Sequence, residues 1–153
     1  MHPKIAEIYG NKVRIRVCGL CWEQGSLLMV RHKMGNGDFW APPGGGVEFG
    51  EFLEEALRRE FFEETGLQVE PEKFLFGCEL VKNPLHAVEL FFEVKKVSGV
   101  LKSGYDPEIQ LIEAVQFFSN TEIKNIPPTS RHGIFEKIGD VNDLRHLTGF
   151  YRI

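Results

Sequence analysis

The strongest constraint on this chain is an amphipathic helix predicted over residues 51–65, because charged side chains continue its apolar face. Strong helix formers fill its middle, and Gly66 follows it, as expected just beyond a last helical turn. At about 100° per residue, one side of the helix collects its apolar residues, Leu53, Ala56, Leu57 and Phe61. Glu60, Glu63 and Glu64 extend that same side. Three carboxylates are therefore predicted to turn toward the protein interior.

Inward-facing carboxylates at this spacing predict a cation site. Glutamate is rarely buried unless it is paired or binds a metal, and carboxylates three and four residues apart on a helix repel one another. A divalent cation removes that repulsion, and ligands that are all oxygen favour Mg²⁺ or Mn²⁺. The alternative is a solvated acidic helix end, with Arg58 and Arg59 as ordinary ion-pair partners.

The residues around this helix resemble the signature of the Nudix hydrolase family. The signature is a glycine, five residues, a glutamate, seven residues, Arg-Glu, an apolar residue, any residue, Glu-Glu, any residue, a glycine and an apolar residue. The fixed positions are matched by Gly45, Glu51, Arg59, Glu60, Phe61, Glu63, Glu64, Gly66 and Leu67. Phe61 is apolar as required but larger than the usual aliphatic residue. The match spans 23 residues, about a seventh of the chain.

The resemblance implies a fold and a metal site. The fold would be an α/β (α+β) α/β/α sandwich with a mixed central β-sheet. The three signature glutamates, Glu60, Glu63 and Glu64, would bind Mg²⁺, or Mn²⁺, together with the carbonyl of Gly44. Arg59 would hold the glutamates in place through ion pairs, and Glu51 would help to fix the loop and the helix.

The resemblance also implies hydrolysis of the diphosphate bond in nucleoside diphosphates linked to another group. Nucleoside triphosphates are the favoured substrates. The alternative substrates are ADP-ribose or nucleotide sugars, whose hydrolases often carry an additional downstream signature that is not evident here. A different class is a non-catalytic Nudix-like ligand-binding module. Such modules commonly lose signature glutamates, and all three are present here.

A general base would assist the attack on phosphorus. Glu63 and Glu64 are candidates on the helix itself. The family also often uses a carboxylate from a loop beyond the signature, and in this chain Glu108 is the first choice and Asp106 the second.

Substrate contacts are predicted for several side chains before the helix. Arg31 could hold a phosphate, or it could lie at a sheet edge. Arg14 and Arg16 alternate with apolar residues, so both should point away from the core, either into a substrate cleft or to water. Trp40, like Phe39 before it, could stack on a base, although core packing is the commoner use of such rings.

Hydrophobic patterns outside the signature predict strands and a late helix. Residues 13–22 and 27–32 are predicted to form a β-hairpin, and residues 34–38 a loop. Further strands are predicted over 74–81, 87–97 and 109–118, and a second helix over 131–138.

Composition limits the remaining possibilities. The length of 153 residues suits one domain over residues 1–153, and the net charge of −4 provides no global attraction to nucleic acid or a membrane surface. No apolar stretch is long enough for a membrane helix, and the first residues lack a secretory signal, so a cytoplasmic location is expected. The three cysteines are expected to be buried free thiols. Exposed aromatic residues such as Phe62 suggest a homodimer.

Overall fold

The computed structural model describes residues 3–34, 37–102 and 112–153. The α-helices are α1 (Pro3–Tyr9), α2 (Leu53–Thr65) and α3 (Asn120–Asn125). The strands are β1 (Lys12–Leu20), β2 (Trp22–Glu23), β3 (Ser26–Met34), β4 (Gly37–Ala41), β5 (Gly44–Gly46), β6 (Leu67–Lys82), β7 (Leu85–Gly99), β8 (Ile112–Phe118) and β9 (Phe150–Arg152). Short 3₁₀ helices cover Pro128–Ser130, Gly133–Lys137 and Val141–His146.

The larger sheet is mixed and has the strand order β5-β1-β7-β6-β9. Strands β6 and β7 form its long antiparallel hairpin, whereas β1 runs parallel to β7 and β9 runs parallel to β6. In the second sheet, β3 lies between β4 and β8 and pairs with both of them in an antiparallel manner.

The larger sheet is covered on both faces. Successive residues of a strand point to opposite sides, so Val17 and Phe92 belong to the core under α2, and Cys18 and Phe91 belong to the core on the other face. The second core receives apolar side chains from α3 and from the 3₁₀ helices. The result is a layered α+β sandwich around a mixed sheet, as predicted.

Several predicted elements are confirmed and three are wrong. Strands over 74–81, 87–97 and 112–118 are present. The predicted hairpin is wrong, because β1 pairs with β5 and β7 and only the two-residue β2 pairs with β3. An α-helix over 131–138 is also wrong, since the chain forms a 3₁₀ helix only at Gly133–Lys137. The loop predicted over 34–38 is wrong at its ends, since Met34 belongs to β3 and Gly37 and Asp38 belong to β4; residues 35 and 36 lie outside the described residues.

Helix α3 was missed although its capping signal is present in the sequence. The side chain of Ser119 accepts a hydrogen bond from the Glu122 N–H at 3.2 Å, and the Glu122 carboxylate accepts one from the Ser119 N–H at 3.0 Å. This reciprocal pair is a capping box, which marks a helix start even when the helix is short.

Two further expectations from composition can be compared with the structure. All three cysteines are free and buried, and Cys18 and Cys21 belong to different cores, as their spacing predicts. No helix within the described ranges is long and apolar enough to cross a membrane.

Candidate active site

Helix α2 carries the signature carboxylates toward the interior. Ala56, Leu57 and Phe61 are fully buried, and beside them Glu60 and Glu64 are only 7% and 1% exposed. Leu53 is an exception, because the helix begins there, and it is 38% exposed rather than buried. The inward orientation of Glu60 and Glu64 follows from the helical period, as predicted.

The carboxylate of Glu60 rests directly on the backbone of Gly45. A Cβ atom at Gly45 would lie 2.3 Å from the Glu60 carboxylate carbon and 2.3 Å from its Oε2. No side chain fits that space, which gives a physical reason for the glycine at this signature position.

Glu64 is held by Gly44, the residue before Gly45 in strand β5. Its Oε1 accepts a hydrogen bond of 2.8 Å from the backbone N–H of Gly44. Glu60 and Glu64, one helical turn apart, thus both contact β5, and Glu63 lies half-buried beside them.

Arg59 connects the loop before α2 to the glutamates of α2 through hydrogen bonds. Its guanidinium donates two hydrogen bonds to Glu51, at 2.8 and 2.9 Å, one to Glu60 at 2.8 Å and one to the carbonyl of Gly46 at 3.2 Å. Glu63 is 3.5 Å away from the same guanidinium. The hydrogen bond from Arg59 holds the pKa of Glu51 below its ordinary value. Arg59 is therefore placed to orient this group of carboxylates.

The donor chemistry of the three glutamates fits a hard divalent cation, because all their side-chain donors are oxygens. Glu60 and Glu63 both lie near the Arg59 guanidinium, and Glu64 accepts a hydrogen bond from the Gly44 N–H. Within residues 3–34, 37–102 and 112–153, no group of three or more His, Cys, Asp or Glu side chains is arranged so that it could hold a metal.

Two arginines of β1 lie beside this group. The prediction that Arg14 and Arg16 point away from the core is wrong: both are half-buried, whereas Val13 and Ile15 are 59% and 41% exposed. The reason is a buried partner, since Arg16 lies opposite Glu89 across the β1–β7 register and forms an ion pair with it.

Arg14 reaches toward β5 on the same face. Its guanidinium carbon is 3.5 Å from the centre of the Tyr9 ring, and its Nη2 would be 3.2 Å from a Cβ atom at Gly46. Arg14 and Arg16 therefore bring two positive charges next to the strand on which Glu60 and Glu64 rest.

Arg31 and Trp40 occupy the second sheet. Strand β3 is central in that sheet, so Arg31 is not at a sheet edge. Its guanidinium lies 3.8 Å from the Asp38 carboxylate and 5.8 Å from the centre of the Trp40 ring. Trp40 packs edge-on against Phe118 at 4.6 Å, which is the core use of such a ring.

The loop carboxylates Glu108 and Asp106 lie outside the described residues. The assignment of Glu108 as general base stays a prediction.

Sequence reasoning missed Glu89, a carboxylate that is 3% exposed and bonded to both Arg16 and His132. A signal was available in the strand alternation, because Glu89 shares its side of β7 with the buried Ala87 and Phe91. A glutamate on the inward side of a strand indicates a buried partner, as one on the inward side of a helix does.

Comparison with known proteins agrees with this arrangement. Residues 10–136, which include β1, the glycine strand and α2, match the family model for the NUDIX domain. This chain belongs to the Nudix hydrolase family. Hydrolases of this family generally use a divalent metal ion.

Two relatives of this Nudix chain are named for different substrates. It is 32% identical over 133 residues to an ADP-ribose pyrophosphatase of Methanocaldococcus jannaschii, covering 83% of this chain and 66% of that protein. It is 48% identical over 59 residues to the nucleoside triphosphatase NudI of Escherichia coli, covering 37% of this chain and 42% of that protein. The chain thus spans less than two thirds of the length of either relative.

The Nudix fold is also found among solved structures. A NUDIX hydrolase from Nitrosomonas europaea superimposes with a TM-score of 0.72 at 23% identity, over 82% of this chain and 85% of that one. At this identity the likeness concerns the fold.

Proposed function

We propose that this Nudix protein is a pyrophosphohydrolase that cleaves the diphosphate bond of nucleoside diphosphates linked to another group. The observation that carries the proposal is the inward placement of Glu60 and Glu64 on the glycine strand β5, with Arg59 bonded to both the loop and the helix. Three carboxylates at positions i, i+3 and i+4 of one helix repel one another, and a divalent cation bound between them would remove that repulsion.

Glu60, Glu63 and Glu64, with the carbonyl of Gly44, are the residues proposed to hold Mg²⁺ or Mn²⁺. When bound, the cation would neutralise charge on phosphate oxygens and make an attacking water more acidic. Arg59 and Glu51 would keep the carboxylates in place, since Arg59 bridges Glu51 to Glu60.

Arg14 and Arg16 are proposed to bind the phosphates of the substrate. The Arg14 guanidinium reaches Gly46 of β5, and Arg16 lies across from Gly46 in the β1–β5 register while its guanidinium pairs with Glu89 of β7. An acidic protein with a net charge of −4 must neutralise a phosphate substrate locally, and two arginines beside a metal site would do so. Arg31 is a further candidate in the second sheet.

Nucleoside triphosphates are proposed as the first substrate class. The 48% identity to a nucleoside triphosphatase supports this choice, although it covers only 59 residues. ADP-ribose and nucleotide sugars form the second class, which the longer match of 133 residues to an ADP-ribose pyrophosphatase favours.

The experiment that tests the function is a substrate panel. Purified protein is incubated with nucleoside triphosphates, ADP-ribose and nucleotide sugars in the presence of Mg²⁺ or Mn²⁺, and release of nucleoside monophosphate is measured. We expect turnover of one of the two classes. Absence of turnover on the whole panel with both metals would instead favour the ligand-binding module.

The Glu64→Gln variant tests the metal assignment. It keeps the shape of the side chain but removes its charge, so turnover should fall by more than about 10²-fold. Glu54→Gln is the matched control, because Glu54 is exposed on the same helix and should leave turnover unchanged. A fully active Glu64→Gln variant would reject Glu64 as a ligand.

The homodimer, the cytoplasmic location and the single domain over residues 1–153 stay predictions. The exposure of Phe62, at 49%, leaves its side chain accessible for the proposed dimer contact.

A further inference from the structure

A buried polar network lies on the face of the larger sheet opposite α2. Its centre is Glu89 of β7, which is 3% exposed and lies directly across from Arg16 of β1. The third member is His132, which precedes the 3₁₀ helix at Gly133–Lys137 and is 5% exposed.

Each carboxylate oxygen of Glu89 has its own donor. Oε2 accepts from Nη1 of Arg16 and is 3.7 Å from the Cys18 thiol, and Oε1 is 2.7 Å from Nε2 of His132. The other ring nitrogen of His132, Nδ1, accepts the Ile134 N–H at 3.0 Å. Because Nδ1 is an acceptor, the ring proton is on Nε2, and His132 donates it to Glu89.

The network becomes more open at Arg16. The side chains of His132 and Glu89 are 6% and 4% exposed, whereas that of Arg16 is 26% exposed. Among the described residues, Glu89 is the one hydrogen-bond partner of the Arg16 guanidinium, which has further N–H donors. Burial alone would lower the pKa of Arg16, but attraction to Glu89, and more weakly to Glu64 and Glu60, raises it. Arg16 is thus held by Glu89 of β7, has N–H donors left over, and lies across from Gly46 of β5 in the register.

We propose that Glu89, itself held by His132, is a positioning residue that fixes the guanidinium of Arg16 for the diphosphate of the substrate. This inference rests on the proposed function, because it takes the ligand of Arg16 to be a diphosphate. A long arginine side chain loses rotamer freedom when it binds an anion, and holding it in place beforehand removes that cost.

Glu89 does not suit the role of general base. Burial by itself raises the pKa of its carboxyl, but the hydrogen bond from His132 and the positive charge of Arg16 outweigh burial and lower the pKa to about 2. A base works best with a pKa near the working pH, so Glu89 accepts protons poorly at neutral pH. Its effect on the reaction passes through Arg16.

The competing explanation is a purely structural ion pair, which would also destabilise the protein when broken. The two explanations differ in whether Glu89 and Arg16 act on the ligand as one unit. A double-mutant cycle with Glu89→Gln, Arg16→Met and the combined variant measures that coupling.

The readout is the dissociation constant of ADP, measured by titration calorimetry in buffer with EDTA so that turnover does not interfere. We expect Glu89→Gln to weaken ADP binding about tenfold when Arg16 is present. In the Arg16→Met background, the same change should alter the dissociation constant by less than about twofold.

A matched control is provided by a second glutamate–histidine pair on the same two strands. Glu79 of β6 and His86 of β7 are 3.0 Å apart, and their side chains are 42% and 35% exposed. Glu79→Gln should leave the dissociation constant unchanged. Urea unfolding of every variant shows whether it is folded at the temperature of the titration.

Three results overturn the proposal. They are unchanged ADP affinity in a folded Glu89→Gln variant, equal losses in both Arg16 backgrounds, and absence of ADP binding by the wild-type protein. Failure of the proposed function is a separate observation, since it appears as lack of turnover by the wild-type protein on the substrate panel.

Discussion

At the scale of single residues, the position of Glu60 depends on its close approach to the backbone of Gly45. The carboxylate of Glu60 occupies the position that a side chain at residue 45 would need. The Glu60 carboxylate thus lies against the backbone of β5 as well as against the guanidinium of Arg59. The carboxylate can therefore take this position only because residue 45 has no side chain.

Gly45→Ala should displace Glu60 and lower turnover by about 10²-fold, since small displacements of catalytic groups have effects of this size. Steady-state kinetics on the substrate found in the panel measures the loss. Gly139→Ala is the control, because a Cβ atom there meets nothing closer than 3.8 Å and should leave turnover unchanged. A Gly45→Ala enzyme with wild-type turnover would show that the Glu60 position is not needed.

At this scale, the orientation of a site residue could be predicted from the sequence where the residues concerned lie on one helix. Glu60 and Glu64 lie one turn apart on α2, and the helical period alone predicts their common side, whereas the role of Arg59 was implied by the family resemblance. The orientation of Arg16 was mispredicted, because its buried partner Glu89 is 73 residues away. A charged side chain turns inward only when such a partner exists, and alternation along one strand does not reveal it.

At the scale of elements, the end of α2 controls how the helix passes into β6. Gly66 has a φ of 77°, and its N–H donates to the Phe62 carbonyl at 2.9 Å. A Cβ atom at Gly66 would also lie 2.6 Å from the carbonyl oxygen of Val100. The residue thus combines a left-handed backbone with a close packing contact.

Gly66→Ala should lower the free energy of unfolding through both effects. The left-handed conformation costs an alanine about 1–2 kcal/mol, and the overlap with Val100 adds to that cost. Gly25→Ala separates the two effects, because Gly25 has a φ of 79° but has nothing within 4 Å of its Cβ position. We expect urea unfolding, followed by circular dichroism, to show the larger loss for Gly66→Ala. Equal losses would show that the neighbourhood of Val100 adapts without cost.

The sequence predicted where strands occur more accurately than it predicted which strands pair with one another. The alternation of residues 13–22 correctly indicates a strand, but β1 joins the larger sheet by parallel pairing with β7. Local patterns report that a segment is extended and which of its sides is apolar. They do not report which distant strand completes its hydrogen bonds, because every strand offers the same backbone groups.

At the scale of the whole molecule, Glu89 should make stability depend on pH. Its pKa is about 2 in the folded protein, below the ordinary value of 4.5, so the unfolded chain binds a proton more readily. The stabilisation from ionised Glu89 is therefore complete above about pH 4.5 and is lost as the pH falls toward 2.

Glu89→Gln removes this titration and should flatten the acid side of the stability profile. Urea unfolding of the wild-type protein and the variant between pH 6 and 3 measures the two slopes. The wild-type curve should fall more steeply as the pH decreases, by up to about 3 kcal/mol over the full titration. Parallel curves would show that Glu89 has an ordinary pKa in the folded protein.

The sequence by itself determined the helix of residues 53–65, the inward turn of its glutamates and the family to which the chain belongs. Each depends on residues close together along the chain, where the helical period sets the geometry. Only the tertiary structure decided the network of Arg16, Glu89 and His132, whose members are separated by 73 and 43 residues. Side chains that distant meet through strand pairing and layer packing, and these interactions are determined by the whole chain at once.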